Sequence, residues 1–434
     1  MSDTMKKYND YVMTGFVKSV QPVVAASASG ATITDETGRE YIDCFGGISV
    51  VNAGHCNPAV IEAAKAQMEK LVHCASYIYH VPAVADLAEK LAHIMPGSGR
   101  LRKTFFGNGG AEAIEGALKL AKLYTGRHEI IALQGGFHGR TWGALSVTGN
   151  SGRKKRGGPY APGVAFAPAP YMYRGKWANE DDCAAGLAER LRATIRFDTA
   201  GDVAAFIAEP VMGEGGIIVP PEKYFRYVKE VLDEHKILFI CDEVQSGFAR
   251  TGKMFAIEHY EVEPDMVVTA KGIADGFPLS AFTTRDEIAA AFQPGDHLST
   301  FGGNPVSCAA ALANIEFLEA KEIAHKSAAQ GAYVLARLKA MQKELPIIGD
   351  VRGMGMMIGV ELVQDAAKTP AAAATEAVRQ HCLESGVLVG VGGVYGNVVR
   401  VQPPLVISTA QLNTALEAME SGFRAAQKET ARAA

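Results

Sequence analysis

Residues 238–281 read LFICDEVQSGFARTGKMFAIEHYEVEPDMVVTAKGIADGFPLSA, and within them two apolar runs each lead to a charged side chain. Asp242 directly follows the run Ile237–Cys241. Lys271 follows the run Met266–Thr269 after a single alanine. Such runs are typical of strands buried on both faces of a parallel sheet. Open sheets of this kind bind ligands at the carboxyl ends of their strands, so the stretch predicts an α/β fold with both charged residues at the ligand-binding edge.

Further apolar runs alternate with amphipathic segments, which predicts a mostly parallel sheet covered by helices on both faces. The predicted strands are Lys103–Phe106, Glu129–Leu133, Val203–Ala208, Ile237–Cys241, Met266–Thr269 and Ala281–Thr284. The predicted helices are Pro58–Leu71, Ala85–His93, Ala111–Tyr124 and Glu222–His235. We expect this large domain to span residues 56–320.

The pattern changes after about residue 320, where a long helical stretch, Ala309–Ala340, leads into shorter strands. A strand pair within Gly349–Leu362, with helices around it, predicts a smaller α+β domain over residues 321–434. Residues 31–43, ATITDETGREYID, are predicted to form a hairpin around an Asp-Glu-Thr-Gly turn. Because this hairpin could join the smaller domain in space, we expect residues 1–55 to contribute to that domain.

Composition and charge argue against several kinds of partner. The chain has 434 residues and a net charge of −4, which provides no basic face for nucleic acid or an anionic membrane. No apolar run approaches the length of a membrane span, and the first residues lack the apolar core of a signal peptide. The seven cysteines include no CxxC pair and the eleven histidines no HExxH spacing. We therefore predict reduced thiols, no metal site and a cytoplasmic location.

The two charged residues at the strand ends suit the chemistry of pyridoxal phosphate (PLP). Desolvation beyond a buried strand lowers the pKa of a lysine and makes its amine nucleophilic. A carboxylate that pairs with the pyridine nitrogen keeps that nitrogen protonated, so that the ring accepts electrons. Simpler interpretations exist for each residue: Lys271 as a lysine extending to the surface, and Asp242 as a loop acid or a helix N-cap.

Two glycine-containing turns supply further parts of such a site. Asn108–Gly110 lie between a strand and a strong helix in FFGNGGAEAIEGALKL, and the free N–H groups of the helix start form an anion site. Phe137 and His138 follow another strand in GGFHGRT, where the phenylalanine ring could stack on a planar heterocycle. A plain tight turn and ordinary core packing are the alternatives for these two segments.

Together these motifs resemble those of the class III PLP-dependent aminotransferases. Residues 238–281 are similar to the family's cofactor segment nearly throughout, and STFGGNPVSCAAALA, residues 299–313, is similar to its second phosphate segment. The resemblance runs from GREYIDCFGG to VRVQPPLVIS, almost the whole chain, and is closest in pattern to 4-aminobutyrate (ω-amino acid) aminotransferases. It implies the fold-type I architecture, with a mostly parallel seven-stranded sheet in the large domain.

The resemblance implies a role for each matching residue of the cofactor site. Lys271 carries the cofactor as a Schiff base and moves a proton between substrate Cα and cofactor C4′, while Asp242 pairs with the pyridine nitrogen. The other implied cofactor contacts are Gly110 and Ala111 with the phosphate, Phe137 and Val244 on the ring faces, Gln245 beside the phenolic oxygen, and also His138 and Glu209. Thr300 is implied to reach the phosphate in a neighbouring subunit, so a homodimer or a dimer of dimers is expected.

One position of the phosphate turn departs from the family pattern. The family usually has Asn-Ser-Gly there, whereas this chain has Asn108-Gly109-Gly110, which removes one hydroxyl donor. Because the backbone N–H groups remain, we expect the cofactor to bind but to be retained more weakly.

Four residues match the family's substrate pocket. Arg400 corresponds to the arginine for an α-carboxylate, a group that suits the guanidinium fork. Arg140 corresponds to the arginine for a distal carboxylate, and Ile48 to an apolar contact. Glu209 is expected to pair with Arg400 when an ω-amine donor binds and to release it for a 2-oxo acid.

These matches predict ping-pong transfer of an amino group from an ω-amino acid, 4-aminobutyrate or a longer one, to 2-oxoglutarate or pyruvate. One alternative is an acetylornithine-, ornithine- or other amine:pyruvate aminotransferase. Another is a PLP-dependent racemase or lyase of the same family, which would use the same Lys271 and Asp242. A PLP-binding scaffold without activity is disfavoured, because it would have little need of a nucleophilic lysine.

Overall fold

The computed structural model describes residues 2–15 and 20–433. Its first elements are α1 (Asp3–Tyr11), β1 (Ala25–Ser29), β2 (Thr32–Asp35), β3 (Glu40–Asp43) and α2 (Gly46–Ser49). Asp35 shapes the turn between β2 and β3, because its Oδ1 accepts hydrogen bonds from the N–H groups of Thr37 and Arg39 at 2.9 and 3.0 Å. The predicted hairpin is confirmed, with Thr32 opposite Ile42.

The central part of the chain alternates helices and strands. Its helices are α3 (Pro58–Met68), α4 (Pro82–Ile94), α5 (Gly110–Thr125), α6 (Trp142–Ser146), α7 (Ser151–Lys154), α8 (Glu180–Phe197), α9 (Tyr224–His235), α10 (Asp286–Ala289) and α11 (Pro305–Ala320). Its strands are β4 (Lys103–Gly107), β5 (Glu129–Leu133), β6 (Val164–Ala167), β7 (Val203–Ala208), β8 (Leu238–Asp242), β9 (Met266–Thr269) and β10 (Ser280–Thr284). Of these elements, α6, α7, β6, α8 and α10 were not predicted.

These strands form one seven-stranded sheet in the order β4-β10-β9-β8-β7-β5-β6. The pairs from β9 to β6 are parallel, and β10 is antiparallel to both of its neighbours, so the predicted fold is confirmed. Strands β7, β8 and β9 are buried along their whole length. Asp242 ends β8 opposite Val268 of β9, and Lys271 comes two residues after β9, which places both residues at one edge of the sheet.

The last part of the chain carries two small sheets. Its elements are α12 (Ile323–Glu344), β11 (Ile348–Met354), β12 (Met357–Leu362), α13 (Ala372–Glu384), β13 (Val387–Leu388), β14 (Gly390–Gly392), β15 (Val398–Val401) and α14 (Thr409–Ala433). One sheet has the order β11-β12-β15-β14. The other has the order β1-β2-β3-β13, in which β3 pairs in parallel with β13, so the N-terminal strands lie beside the C-terminal part of the chain.

One predicted element is wrong. The stretch Ala309–Ala340 is not a single helix, because α11 ends at Ala320 and α12 begins at Ile323. Glu322 between them has a φ of 48°, and a residue in this left-handed conformation ends a run of helical hydrogen bonds. Neither glycine nor proline marks the break, so the apolar pattern continues across it.

Three properties of the described residues concern membranes, metals and thiols. No helix within residues 2–15 and 20–433 has the length and apolarity needed to cross a bilayer. The same residues contain no group of three or more His, Cys, Asp or Glu side chains arranged to hold a metal ion. All seven cysteines are free thiols.

Candidate active site

A cavity of about 310 Å³ lies at the carboxyl ends of β8 and β9. Nine of the residues predicted for the cofactor site line it: Gly110, Ala111, Phe137, His138, Glu209, Asp242, Val244, Gln245 and Lys271. The structure therefore brings these side chains together from several distant stretches of sequence. Val50, Ala270 and residues 277–279 also line the cavity and were not predicted, although Ala270 and residues 277–279 lie within or next to motifs that the sequence analysis identified.

Lys271 begins a tight turn after β9. Its φ of 47° is in the left-handed region, which costs on the order of 1–3 kcal/mol for a residue with a side chain. Asn314 holds this turn, because its Nδ2 donates to the carbonyl oxygens of Gly272 and Ile273 at 2.8 and 3.0 Å. Burial lowers the pKa of the Lys271 ammonium, against the opposing effect of nearby carboxylates. More of the amine is therefore neutral and nucleophilic than in an exposed lysine.

Asp242 is held by two hydrogen-bond partners. His138 Nδ1 lies 2.7 Å from Asp242 Oδ2, and the backbone N–H of Val244 donates to Oδ1 at 3.0 Å. The backbone of His138 is fixed in turn, since its backbone N–H donates to the Thr148 hydroxyl oxygen at 3.0 Å. Both side chains are buried, so these contacts set the orientation of the carboxylate at the end of β8.

Glu209 connects two loops at the edge of the sheet. Its Oε1 accepts from the N–H of Phe137 at 2.9 Å and its Oε2 from the N–H of Gly213 at 2.8 Å. Burial raises the pKa of this carboxyl to about 7, with a smaller contribution in the same direction from Asp242. The side chain thus fixes the turn that carries the Phe137 ring.

The turn predicted to bind an anion lies at the start of α5. The helix begins at Gly110, and Gly109 at its N-cap has no side chain to accept a hydrogen bond from the first turn. The first N–H groups of a helix have no partner within the helix and face its positive dipole end. A Cβ on Gly110 would lie 3.0 Å from a Val244 methyl carbon, so the close approach of these two segments favours glycine at position 110.

A second cavity, of about 480 Å³, contains three of the predicted substrate residues, Ile48, Arg140 and Arg400. It adjoins the first cavity through Phe137, whose ring centre lies 5.8 Å from the Arg140 guanidinium carbon. Arg140 is exposed. In the part of the chain that the structure describes, Arg140 makes no hydrogen bond or ion pair, so its guanidinium is available to a ligand.

The predicted pairing of Glu209 with Arg400 is wrong. Arg400 Nη1 lies 2.5 Å from Oε1 of Glu214, whereas both oxygens of Glu209 accept from backbone N–H groups. The two glutamates belong to one segment, EPVMGEGG, residues 209–216. No pattern in this segment distinguishes its two carboxylates, so the sequence alone does not identify Glu214 as the partner of Arg400.

Glu214 lies between two arginines. Its Oε2 is 3.5 Å from Arg153 Nη2, on the side away from Arg400. Burial alone would raise the pKa of Glu214, but the charges of Arg400 and Lys271 outweigh it and lower that pKa. Because the Arg400 side chain is only 4% exposed, loss of its partner would leave a buried charge without compensation.

Thr300 lies outside both cavities. It is exposed, in the loop that precedes α11, next to the exposed side chain of Phe301. The structure therefore does not bring Thr300 together with the other predicted site residues of the same chain.

The family model described as Aminotransferase class-III matches residues 16–423. The chain belongs to this family. It is 38% identical over 427 residues to a probable 4-aminobutyrate aminotransferase of Bacillus subtilis, with 97% of each chain covered. It is 41% identical to a leucine/methionine racemase of Thermococcus litoralis, covering 92% of this chain and 90% of that one. A solved (S)-enantioselective ω-transaminase from Thermomicrobium roseum superposes with a TM-score of 0.91 at 34% identity, covering 98% of this chain and 99% of that chain.

The chain is thus a PLP-dependent aminotransferase, which uses an amino donor and a 2-oxo acid acceptor. The first cavity fits the cofactor chemically. It offers helix N–H groups for a phosphate, a buried carboxylate for a ring nitrogen and a desolvated amine for a carbonyl group. The buried Nε2 of His138, which has no partner among the described residues, belongs to the same polar cluster.

Proposed function

We propose that this enzyme transfers the amino group of an ω-amino acid, 4-aminobutyrate or a longer one, to 2-oxoglutarate or pyruvate by a ping-pong mechanism. The observation that supports this most is that the Glu214–Arg400 ion pair shares a cavity with Arg140, which has no ion-pair partner among the described residues. A donor whose reacting end lacks a carboxylate needs Arg400 to be neutralised, while a 2-oxo acid needs it free. A carboxylate that can leave the arginine satisfies both requirements.

In this proposal PLP supplies a ring that accepts electrons from the substrate Cα. Lys271 would hold the cofactor through its amine and would accept the proton that leaves the substrate Cα. Asp242, oriented by His138, would pair with the pyridine nitrogen and keep it protonated. Phe137 and Val244 would pack against the ring. The remaining proposed contacts are Gly110 and Ala111 with the phosphate, Gln245 beside the phenolic oxygen, and Glu209 as the support of the Phe137 turn.

The second cavity selects the substrates. With an ω-amino acid, Glu214 stays on Arg400, Ile48 provides an apolar contact, and the distal carboxylate pairs with Arg140. With a 2-oxo acid, the α-carboxylate takes Arg400 as a bidentate partner and Glu214 moves away. Arg153, already 3.5 Å from Glu214, offers the displaced carboxylate a second cationic partner.

We propose that the active unit is a homodimer or a dimer of dimers, in which Thr300 reaches the phosphate of the neighbouring subunit. Support comes from large apolar side chains that are exposed on and beside the loop that carries Thr300. They are Val72, Tyr77, Ile78, Tyr79, Leu298 and Phe301. Clusters of exposed apolar side chains are typical of subunit interfaces. We also propose a cytoplasmic location, since seven free thiols suit a reducing compartment.

A panel of donors tested against both acceptors decides among the alternatives. We expect 4-aminobutyrate or longer ω-amino acids to convert the bound cofactor to its amine form, followed as a change in visible absorbance in the half-reaction. Activity restricted to acetylornithine or ornithine would instead indicate an acetylornithine- or ornithine-type aminotransferase. Inversion of an amino acid's configuration without release of a 2-oxo acid, measured by chiral chromatography, would instead indicate a racemase.

Replacing Gly109 by serine is expected to tighten cofactor binding about tenfold. Gly109 has a φ of −123°, and a Cβ added there meets nothing within 4 Å, so serine fits without strain. Its hydroxyl would add a hydrogen bond to the charged phosphate, worth on the order of 1.5 kcal/mol. Titration of the apoenzyme with PLP measures the dissociation constant. Gly109→Ala is the control without a hydroxyl, and equal affinity in the two variants would contradict the prediction.

A further inference from the structure

Gln402 is a buried polar residue that the proposed mechanism does not use. It follows β15 and lies two residues after Arg400, and its side chain is fully buried. Its Nε2 donates to Oε1 of Gln245 at 2.9 Å and to the hydroxyl oxygen of Ser49 at 2.7 Å. Both hydrogens of the Gln402 amide are therefore used.

The partners of Gln402 determine which way its amide faces. Its Oε1 is buried without a partner in the described part of the chain. If the amide were turned over, the NH₂ group would occupy that position, and two buried donors would be unpaired instead of one acceptor. Buried donors without partners are rarer than carbonyl oxygens without partners, so the orientation with Nε2 towards Gln245 and Ser49 is the favourable one.

This orientation also fixes Gln245. Because Oε1 of Gln245 already accepts a hydrogen bond from Gln402, its NH₂ group is the end left to face the first cavity, which Gln245 lines. Within residues 2–15 and 20–433, that NH₂ group makes no hydrogen bond. Gly213 leaves room for the amide in this position, because a Cβ at position 213 would lie 2.2 Å from Gln245 Oε1. The Gln245 amide therefore lies between Gln402 and the backbone of the loop that carries Glu214, and the hydrogen bond from Gln402 sets which of its ends faces the cavity.

We propose that Gln402 is a positioning residue that holds the Gln245 amide with its NH₂ group towards the phenolic oxygen of the cofactor. This inference rests on the proposed place of Gln245 beside that oxygen. Gln402 directly follows β15, the strand that carries Arg400, so one short stretch of chain supports both the cofactor side and the substrate side of the site.

The inference predicts a spectroscopic change that does not depend on catalysis. A donor beside the phenolic oxygen stabilises its negative charge, which favours the deprotonated form of the cofactor bound to Lys271. Replacing Gln402 by leucine frees the Gln245 amide and is expected to raise the pH midpoint of the visible absorbance change by about 0.5–1 unit, the equivalent of one hydrogen bond. The titration is run on the holoenzyme without any donor or acceptor.

Three variants make the test specific. Gln245→Leu is expected to raise the midpoint by a similar amount, and the double variant Gln402→Leu/Gln245→Leu to raise it no further, since coupled residues are not additive. Ser49→Ala, which removes the other partner of Gln402, is expected to leave the midpoint unchanged. If Gln402→Leu does not fold, Gln402→Glu tests the same point, because an acceptor at 402 would turn the Gln245 oxygen towards the ring and raise the midpoint further.

The possible failures can be told apart. A midpoint that rises in Gln245→Leu but not in Gln402→Leu would overturn the role of Gln402. A midpoint unchanged in both would show that Gln245 is not beside the phenolic oxygen, so the proposed cofactor contact and this inference would fail together. A wrong assignment of the amino donor would leave the result unaffected, because no donor is present.

Discussion

Lys271→Ala is expected to lower the rate of transamination by at least about 10⁴-fold, because it removes both the covalent attachment of the cofactor and the group that moves the proton. Among the described residues, Lys271 is the one lysine that lines the first cavity. No second ammonium group in that cavity can therefore replace it. The variant should still bind PLP through the phosphate, ring and Asp242 contacts. Single-turnover measurement of the donor half-reaction checks the rate. Lys343→Ala, at an exposed position, is the matched control, and full activity in Lys271→Ala would contradict the mechanism.

The same variant has a consequence for the stability of the apoenzyme. Burial lowers the pKa of Lys271 below its ordinary value of 10.5, so the unfolded chain binds more protons than the folded one below that pH. The wild-type apoenzyme therefore loses stability as the pH falls from about 10.5 towards the lowered pKa, and the variant does not. Thermal unfolding is expected to show Lys271→Ala as the more stable protein at pH 7, with the difference narrowing towards pH 10.5. A difference independent of pH would contradict the desolvation of this amine.

The sequence was sufficient to predict the residues whose position follows from strand ends. Asp242 and Lys271 each follow a strand that is apolar at almost every residue, and parallel neighbouring strands place their carboxyl ends at the same edge. The glycine turn before α5 and the turn with Phe137 follow the same rule. To predict where such residues lie, one needs only the order and direction of the strands. The alternation of helices and strands in the sequence indicates both.

The sequence could not show which glutamate pairs with Arg400. Met212 and Ile218 form a short antiparallel bridge, which turns the segment back on itself and places Glu214 near the tip of the loop, while Glu209 remains at its base. This fold of the loop depends on local backbone geometry, including a φ of 116° at Gly216. Gln402 was missed for a related reason, because it contacts Gln245 across 157 positions of sequence, and no periodic pattern reports such a contact.

Glu214→Gln is expected to lower kcat/KM for ω-amino donors about 10- to 100-fold. The change leaves the guanidinium of Arg400 buried without a charged partner, and breaking a buried ion pair in this way costs several kcal/mol before water or an anion compensates in part. An ω-amino donor has no carboxylate to offer Arg400, so it binds against this cost. A 2-oxo acid supplies the missing charge, so its KM should stay the same or fall. Separate half-reactions with 4-aminobutyrate and 2-oxoglutarate measure the two effects.

Glu209→Gln is the matched control, because Glu209 lies five residues earlier in the same loop and touches the Phe137 turn instead of Arg400. It is expected to weaken both half-reactions by similar factors, since it loosens the cofactor side of the site. The two variants therefore distinguish a carboxylate that selects between substrates from one that supports the cofactor. If Glu209→Gln affected only the ω-amino donor and Glu214→Gln affected both substrates alike, the assignment of Glu214 as the partner of Arg400 in catalysis would be wrong.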